Sequence, residues 1–286
     1  MSTGVNTSAP PPGFAPAPAD LARAAARGAR LAPRFGLLRG AVRVWRRDME
    51  SWRKYYRSSL VGALGEPLLS LVAIGYGLGK FVTLPGISYA EFLAPGILAA
   101  AAMNAASFEA TFGAFTRMTE QKTYDAILAT PIGIREIVAG DVLWAASKAT
   151  LAGTAVLLVA AVAGLVHSLW ALLLPVVALL IGLVFGAMGL VASARAPAYD
   201  FFTYYFTLVI TVMYLFSGVF FPLASLPPWA QAAAWLLPLT HAVALVRACA
   251  AGTVGPLIGV HLLVLVVVLA LAYALAVRWV GRRLIA

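Results

Sequence analysis

Charged residues make up only 11% of this 286-residue chain, against 62% hydrophobic. A water-soluble domain of that length would lack the polar surface needed to cover its core, so a soluble fold is excluded. The one cysteine, Cys249, rules out an intrachain disulfide and a cysteine-based metal cluster. The pattern G-x-x-x-x-G-K-[ST] does not occur, so no phosphate-cradling loop for a nucleotide is encoded. No Ser, His and Asp set and no paired carboxylates in a pocket can be assembled, which leaves no recognisable active site. His167, His241 and His261 lack the neighbouring cysteine or carboxylate spacing of a metal centre and read as structural. Period-two alternation is missing as well, which excludes a β-barrel.

What the sequence does have is long apolar runs. Crossing ~30 Å of hydrocarbon takes ~20 residues of helix. Six runs approach that length: Val61 to Gly79, Phe92 to Phe115, Val142 to Leu165, Ala171 to Ala194, Phe201 to Phe221 and Pro256 to Val277. Each is apolar all round, so an all-α integral membrane protein with six transmembrane helices is expected. Glycine and alanine run through the spans, as in "IGLVFGAMGLVASA", and small residues let helices approach closely in lipid.

The net charge of +10 could attract nucleic acid, but its placement decides against that. Lys and Arg concentrate before Leu60, around Arg117, Lys122 and Arg135, at Arg195, and at Arg278, Arg282 and Arg283. The alternate loops hold only Lys80 and Arg247. That asymmetry is the positive-inside pattern, so both termini are expected in the cytoplasm. No short apolar segment with a cleavage site precedes the first span, so no removable signal peptide is expected.

Residues 1–40 are rich in Pro, Ala and Arg without periodicity and are expected to be a disordered tail, leaving 41–286 as the membrane domain. An Arg-rich, acid-poor start also has the look of an organelle transit peptide. Between Val42 and Tyr56, the residues Val42, Trp45, Met49, Trp52 and Tyr56 fall on one helical stripe flanked by Arg43, Arg46, Arg47, Arg53 and Lys54. The expectation is an amphipathic helix on the lipid interface, with packing on a partner protein as the alternative. From Phe221 to Gly255, Pro222, Pro227, Pro228 and Pro238 interrupt a moderately apolar stretch. Charge counting requires it to begin and end outside, so an outer re-entrant helical hairpin is expected, two further crossings being the alternative. Trp229 and Trp235 suit anchors at its interface.

The polar stretch Met118 to Ile132, "MTEQKTYDAILATPI", lies between two apolar runs. Tyr124, Ile127, Leu128 and Pro131 are spaced i, i+3, i+4 and i+7, which predicts a short helix with one apolar face, ended by Thr130 and Pro131. By the charge rule it is cytoplasmic. Its apolar face reads either as a docking peg for a soluble partner or as a surface that lies on the protein's own membrane.

"KTYDAILATPIGIREIVAGDVLWAASKA" resembles the coupling-helix region of ABC-2 type export permeases, within them the nodulation protein J branch. "EPLLSLVAIGYGLG", "YAEFLAPGILAAAAMNAASFEATFGAFTRM", "APAYDFFTYYFTLVITVMYLFSGVFFPLASLPPWAQ" and "LPLTHAVALVRA" resemble further blocks of that branch in the same order, so the likeness runs from about Trp45 to the C-terminus. The resemblance implies a bacterial inner-membrane subunit that pairs with a second copy of itself. It also implies that ATP and Mg are held by a separate ATP-binding cassette subunit, and that the cargo is an amphipathic lipo-oligosaccharide or other glycolipid. It assigns ATPase coupling to Thr123, Tyr124, Asp125, Ile127, Leu128, Thr130 and Pro131. The stripe from Val42 to Tyr56 becomes the interface helix, and Ser217, Gly218, Phe221 and Pro222 lead into the re-entrant region that holds Trp229 and His241.

An acid inside a span is costly, about 2.5–3.5 kcal/mol at the centre. Glu109, and Glu66 at the head of the first span, are therefore candidates for a polar contact on a pathway or dimer face. For Glu109 the alternative is structural packing against Lys148. Two other functions stay open: efflux of a hydrophobic drug by the same machine, and an intramembrane acyl- or glycosyl-transferase. The transferase would need acids or histidines converging at one depth, whereas Glu66, Glu109 and His261 are scattered. A non-transporting scaffold would leave the helix at Tyr124 without a role.

Overall fold

The computed structural model describes residues 36–253 and 255–285, and within these the regular structure is helical apart from one bridge between Leu84 and Ile87. Most of the tail expected to be disordered lies outside the described residues, but its last part does not: helix α1 spans Leu37–Trp52, beginning before the expected boundary at residue 40. The cause is packing. Gly40 and Ala41 are buried against the α5 helix, where the Glu136 side chain occupies the space a Gly40 Cβ would need.

After a turn at 53–55, α2 (Tyr56–Ser70) continues as a π-helical stretch, Leu71–Gly77. Then come α3 (Tyr89–Thr119), the short α4 (Thr123–Leu128), α5 (Ile134–Val162), α6 (Leu169–Arg195) and α7 (Phe201–Phe216). The chain closes with α8 (Pro228–Ala234), α9 (Pro238–Ala251) and α10 (Leu257–Ile285). Ser88 starts α3 with a capping box, its hydroxyl accepting from the Glu91 N–H while Glu91 accepts from the Ser88 N–H.

Four of these helices, α3, α5, α6 and α10, are long and apolar enough to cross a membrane, with 31, 29, 27 and 29 residues. The pair α8 and α9, bent by 86° at their junction, would make a fifth if taken as one broken span. The protein is therefore a multi-pass membrane protein. The first and fifth expected spans are helical but shorter: α7 stops at Phe216 because Gly218 turns the chain with a left-handed φ of 77°.

The core is the α3, α5 and α6 triad, sealed by α9 and α10. Its tightest crossing is at Gly182 of α6, where a Cβ would stand 2.5 Å from the Ala146 Cα and 2.6 Å from the Ala149 Cβ of α5. Lipid tails are as apolar as the helices, so such backbone approach, with its dispersion contacts, supplies the association energy that hydrophobicity cannot.

Candidate functional site

A cavity of about 1050 Å³ opens between α1, α2, α3, α5 and α7. Two of the three π-helical stretches line it: Glu109, Phe112 and Gly113 from the one in α3, and Phe206 and Ile210 from the one in α7. A π turn carries one residue more than an α turn, which re-aims the side chains that follow it. In α3 that extra residue puts Glu109 and Arg117, eight apart, on the same face.

The wall near α4 is ionic. Arg117 Nη1 donates to Glu109 Oε1 at 2.6 Å, and Lys148 Nζ lies 2.6 Å from Glu109 Oε2. Arg117 also reaches Asp141 Oδ1 at 3.5 Å and Asp48 Oδ1 at 3.8 Å, and Arg47 bonds Asp48 directly. Burial, with the Asp141 carboxylate beside it, raises the Asp48 carboxyl to about 7 against the pull of Arg117 and Arg47. The rest of the wall mixes aromatic and aliphatic groups, Trp52, Phe108, Trp144, Leu151 and Tyr214 among them, with the hydroxyl and amide groups of Ser59, Asn104 and Thr211. A chamber that joins a charged cluster to a mixed apolar and hydrogen-bonding surface can hold an amphiphile.

Helix α4 connects to this wall from within. Tyr124 is 1% exposed, and its hydroxyl donates to Asp141 Oδ2. Burial first, and then the Asp141 charge, hold its phenol protonated far above the ordinary range. The expectation that Tyr124 leads a partner-facing apolar stripe is corrected here. The stripe faces inward, with Ile127 and Leu128 half-buried against the protein's own core. A six-residue helix with one apolar face cannot fold without covering it, and the nearest cover is the α3–α5 junction. What α4 presents to solvent is Asp125, Ala126, Ala129, Thr130 and Pro131. Thr123 is half-buried and lines the cavity.

Helix α1 packs on the bundle by a second, smaller face. Its buried face is Gly40, Ala41, Val44 and Asp48, packed on α5, one step round from the expected stripe. Trp45, Met49 and Trp52 flank that face half-buried: Trp45 Nε1 donates to Ser147 Oγ at 2.8 Å, and Trp52 sets its edge on Trp144 at 6.0 Å. Val42 is exposed, and Tyr56 belongs to α2. Glu109 is buried in its pairs with Lys148 and Arg117 while also lining the cavity. The Glu66 side chain lies outside the described residues.

At the opposite end, Ser217 is buried, Phe221 and Pro222 are half-buried, and Trp229 is 75% exposed on α8. His241 is buried, with Nδ1 2.9 Å from His261 Nδ1 and Nε2 2.9 Å from the Trp235 carbonyl. Among the described residues no trio of His, Cys, Asp or Glu is placed to hold a metal ion.

Sequence reasoning missed Asp48, Arg117 and Asp141 as members of one network. The signal was there in part: Asp141 and Lys148 sit seven apart, two turns along one face, and Gly40, Val44 and Asp48 follow each other at i+4. The eight-residue offset of Glu109 and Arg117 hid the rest, since it fits an α-helical face only with the π turn included.

A bundle of apolar helices around a chamber, with buried charges joining the chamber wall to the short internal helix α4, is the frame of a multi-pass membrane protein. The ABC-2 type transporter family model matches residues 42–251, and the chain belongs to that family. It is similar to nodulation protein J of Rhizobium leguminosarum bv. viciae, 42% identical over 243 residues, which is 84% of this chain and 93% of the relative. Nodulation protein J of Bradyrhizobium diazoefficiens is 43% identical over 208 residues, covering 71% of this chain and 78% of the relative. The Escherichia coli inner membrane transport permease YadH is 24% identical over 203 residues, covering 70% and 78%. No solved structure matches the chain.

Proposed function

We propose that this chain is the permease subunit of an ATP-driven exporter, six-spanning, in a bacterial inner membrane with both termini cytoplasmic. In this reading two copies pair, and a separate ATP-binding cassette subunit, with its ATP and Mg, grips the exposed side of α4 at Asp125, Ala126, Ala129, Thr130 and Pro131. The observation that carries the reading is the continuous polar chain from Tyr124 through Asp141 and Arg117 to Glu109 on the cavity wall. A displacement of α4 reaches the chamber through buried, mutually attracting charges rather than through a flexible loop. The cargo we assign is an amphipathic lipo-oligosaccharide or related glycolipid, on the strength of the chamber's polarity and the likeness to nodulation protein J relatives.

The test is reconstitution with the candidate ATPase, reading ATP hydrolysis against a panel of glycolipids and apolar drugs. Stimulation by glycolipid supports the assignment, and stimulation by drugs alone replaces it with efflux. Ala129→Trp on the exposed side of α4 is expected to abolish co-purification with the ATPase while the variant still inserts in the membrane. Retained binding would refute the docking side.

A further inference from the structure

The end of the bundle remote from α4 carries a guanidinium with no carboxylate within 4 Å among the described residues: Arg247 of α9. A half-buried cation without a counter-ion in this end of the bundle calls for hydrogen bonds that a neutral side chain could not make. Here Nη2 donates to the Gly218 carbonyl at 2.9 Å, and the guanidinium lies over the Phe92 ring of α3, 4.0 Å from its centroid.

Gly218 belongs to the turn that leaves α7, and two further contacts act on that turn. Tyr89 of α3 donates its hydroxyl to the Phe220 carbonyl at 2.9 Å. Val219, fully buried, sits in a notch at Gly96 of α3, where a Cβ would come within 2.8 Å of the Val219 carbonyl oxygen. The turn touches the chamber wall at one point: the Phe220 ring meets Tyr214 edge-on at 4.8 Å, and Tyr214 is a lining residue of the cavity. The turn 217–221 is thus held by α3 on one side and α9 on the other, and it backs the chamber wall through Tyr214.

We propose that Arg247 is a positioning residue that latches the 217–221 turn shut over the outer end of the transport chamber, and that breaking the Arg247–Gly218 bond opens the exit. The proposal rests on the exporter reading for its direction, while the latch itself is a property of this chain alone. The Gly218 conformation suits the role. With φ at 77° it adopts a backbone that an L-residue resists, so a short turn can present its carbonyl to α9 while the next residue enters the α3 notch.

The test uses the full chain with Cys249→Ala, which removes the single native thiol, and Ser217→Cys as a reporter, placed in proteoliposomes and probed with a membrane-impermeant maleimide. Without any ATPase present, Arg247→Met should speed labelling from the outer side by at least about tenfold, the scale of losing one charge-assisted bond from a local opening equilibrium. Arg247→Lys, which keeps one donor but loses the planar stacking on Phe92, should fall between the two. Tyr89→Phe, which removes only the bond to Phe220, should speed labelling about threefold, a fraction of a neutral bond's usual worth. It therefore decides the matter should Arg247→Met not fold. With the ATPase bound and ATP turning over, the reporter in the otherwise native chain should label faster, and the Arg247→Met chain should label fast with or without ATP. A merely structural Arg247 would lower thermal stability but leave the ATP dependence of labelling intact. Unchanged labelling in Arg247→Met and Tyr89→Phe overturns the latch. Faster labelling in both, but no response to ATP in the native reporter, keeps the latch and overturns the exporter reading.

Discussion

Replacing Glu109 by Gln leaves Lys148 and Arg117 facing a neutral amide in a buried wall. Glu109 is 5% exposed and is the acid closest to both cations, at 2.6 Å from each. Arg117 keeps weaker companions, Asp141 at 3.5 Å and Asp48 at 3.8 Å, but among the ion pairs of the described residues Lys148 has only Glu109. Removing one partner of a buried pair typically costs about 3–5 kcal/mol, and the retained amide oxygen places the expectation near ~3. At roughly 2–4 °C per kcal/mol for a chain of this size, the melting temperature should fall by about 6–12 °C. The double variant Glu109→Gln with Lys148→Met removes both charges and should recover most of that loss, ending within about 1.5 kcal/mol of the starting protein. The sole thiol, Cys249, is buried, so a thiol-reactive dye that fluoresces on coupling reports unfolding directly in detergent or nanodiscs. A Glu109→Gln chain melting within about 1 °C of the parent, or a double variant no better than the single, would show that the pair is not the buried, mutually dependent unit described here.

Tyr124→Phe keeps the packing but removes the bond to Asp141, which should cost about 1.5–3 kcal/mol and reduce cargo moved per ATP, whereas Tyr124→Ala should cost about 3–5 kcal/mol. Paired melting and transport measurements separate these, and an unimpaired Tyr124→Phe would break the proposed relay. Gly182→Ala forces a Cβ onto the Ala146 backbone and should cost about 1–3 kcal/mol, while Gly259→Ala on α10, with open space around it, should be neutral or slightly stabilising. Equal melting temperatures for the two would contradict the close crossing. Asp48 holds its proton more tightly in the folded chain than an ordinary aspartate does, its pKa rising from 3.8 to about 7. Its contribution to stability is therefore fully present below the unfolded value and is lost as pH rises through about 7. Between pH 6 and 8 the native chain should lose more stability than Asp48→Asn, and parallel melting curves for the two would refute the assignment.

Sequence periodicity located every helix that matters to the chamber, because runs of apolar residues between polar punctuation can satisfy their backbone in lipid only as helices. The spacing of Tyr124, Ile127 and Leu128 located the short helix α4, and the prolines after Phe221 marked the break that α8 and α9 show at their 86° bend. Periodicity failed on facing. The stripe in α4 was assigned outward, because spacing alone does not say which surface an apolar face covers, and Tyr124 turned inward to meet Asp141. The face of α1 that packs on α5 was not legible, because it is made by the small residues Gly40 and Ala41 with Val44 and Asp48 rather than by bulky apolar side chains. The ionic network was the least legible part. Its members come from α1, α3, α4 and α5, and two of them align only through a π turn that no local pattern announces.

Helix α5 runs unbroken from Ile134 to Val162, so at 1.5 Å per residue it is a rod about 43 Å long in a bilayer whose oily interior measures ~30 Å. Roughly 13 Å is thus left over as a handle, and the handle end carries Glu136 and Asp141, to which α1 and α4 are fastened. Rocking the rod by about 5° around its crossing with Gly182, which lies near its midpoint, swings each tip by roughly 2 Å. A tug on the handle would therefore reach the opposite end of the helix with about the amplitude at which it was applied.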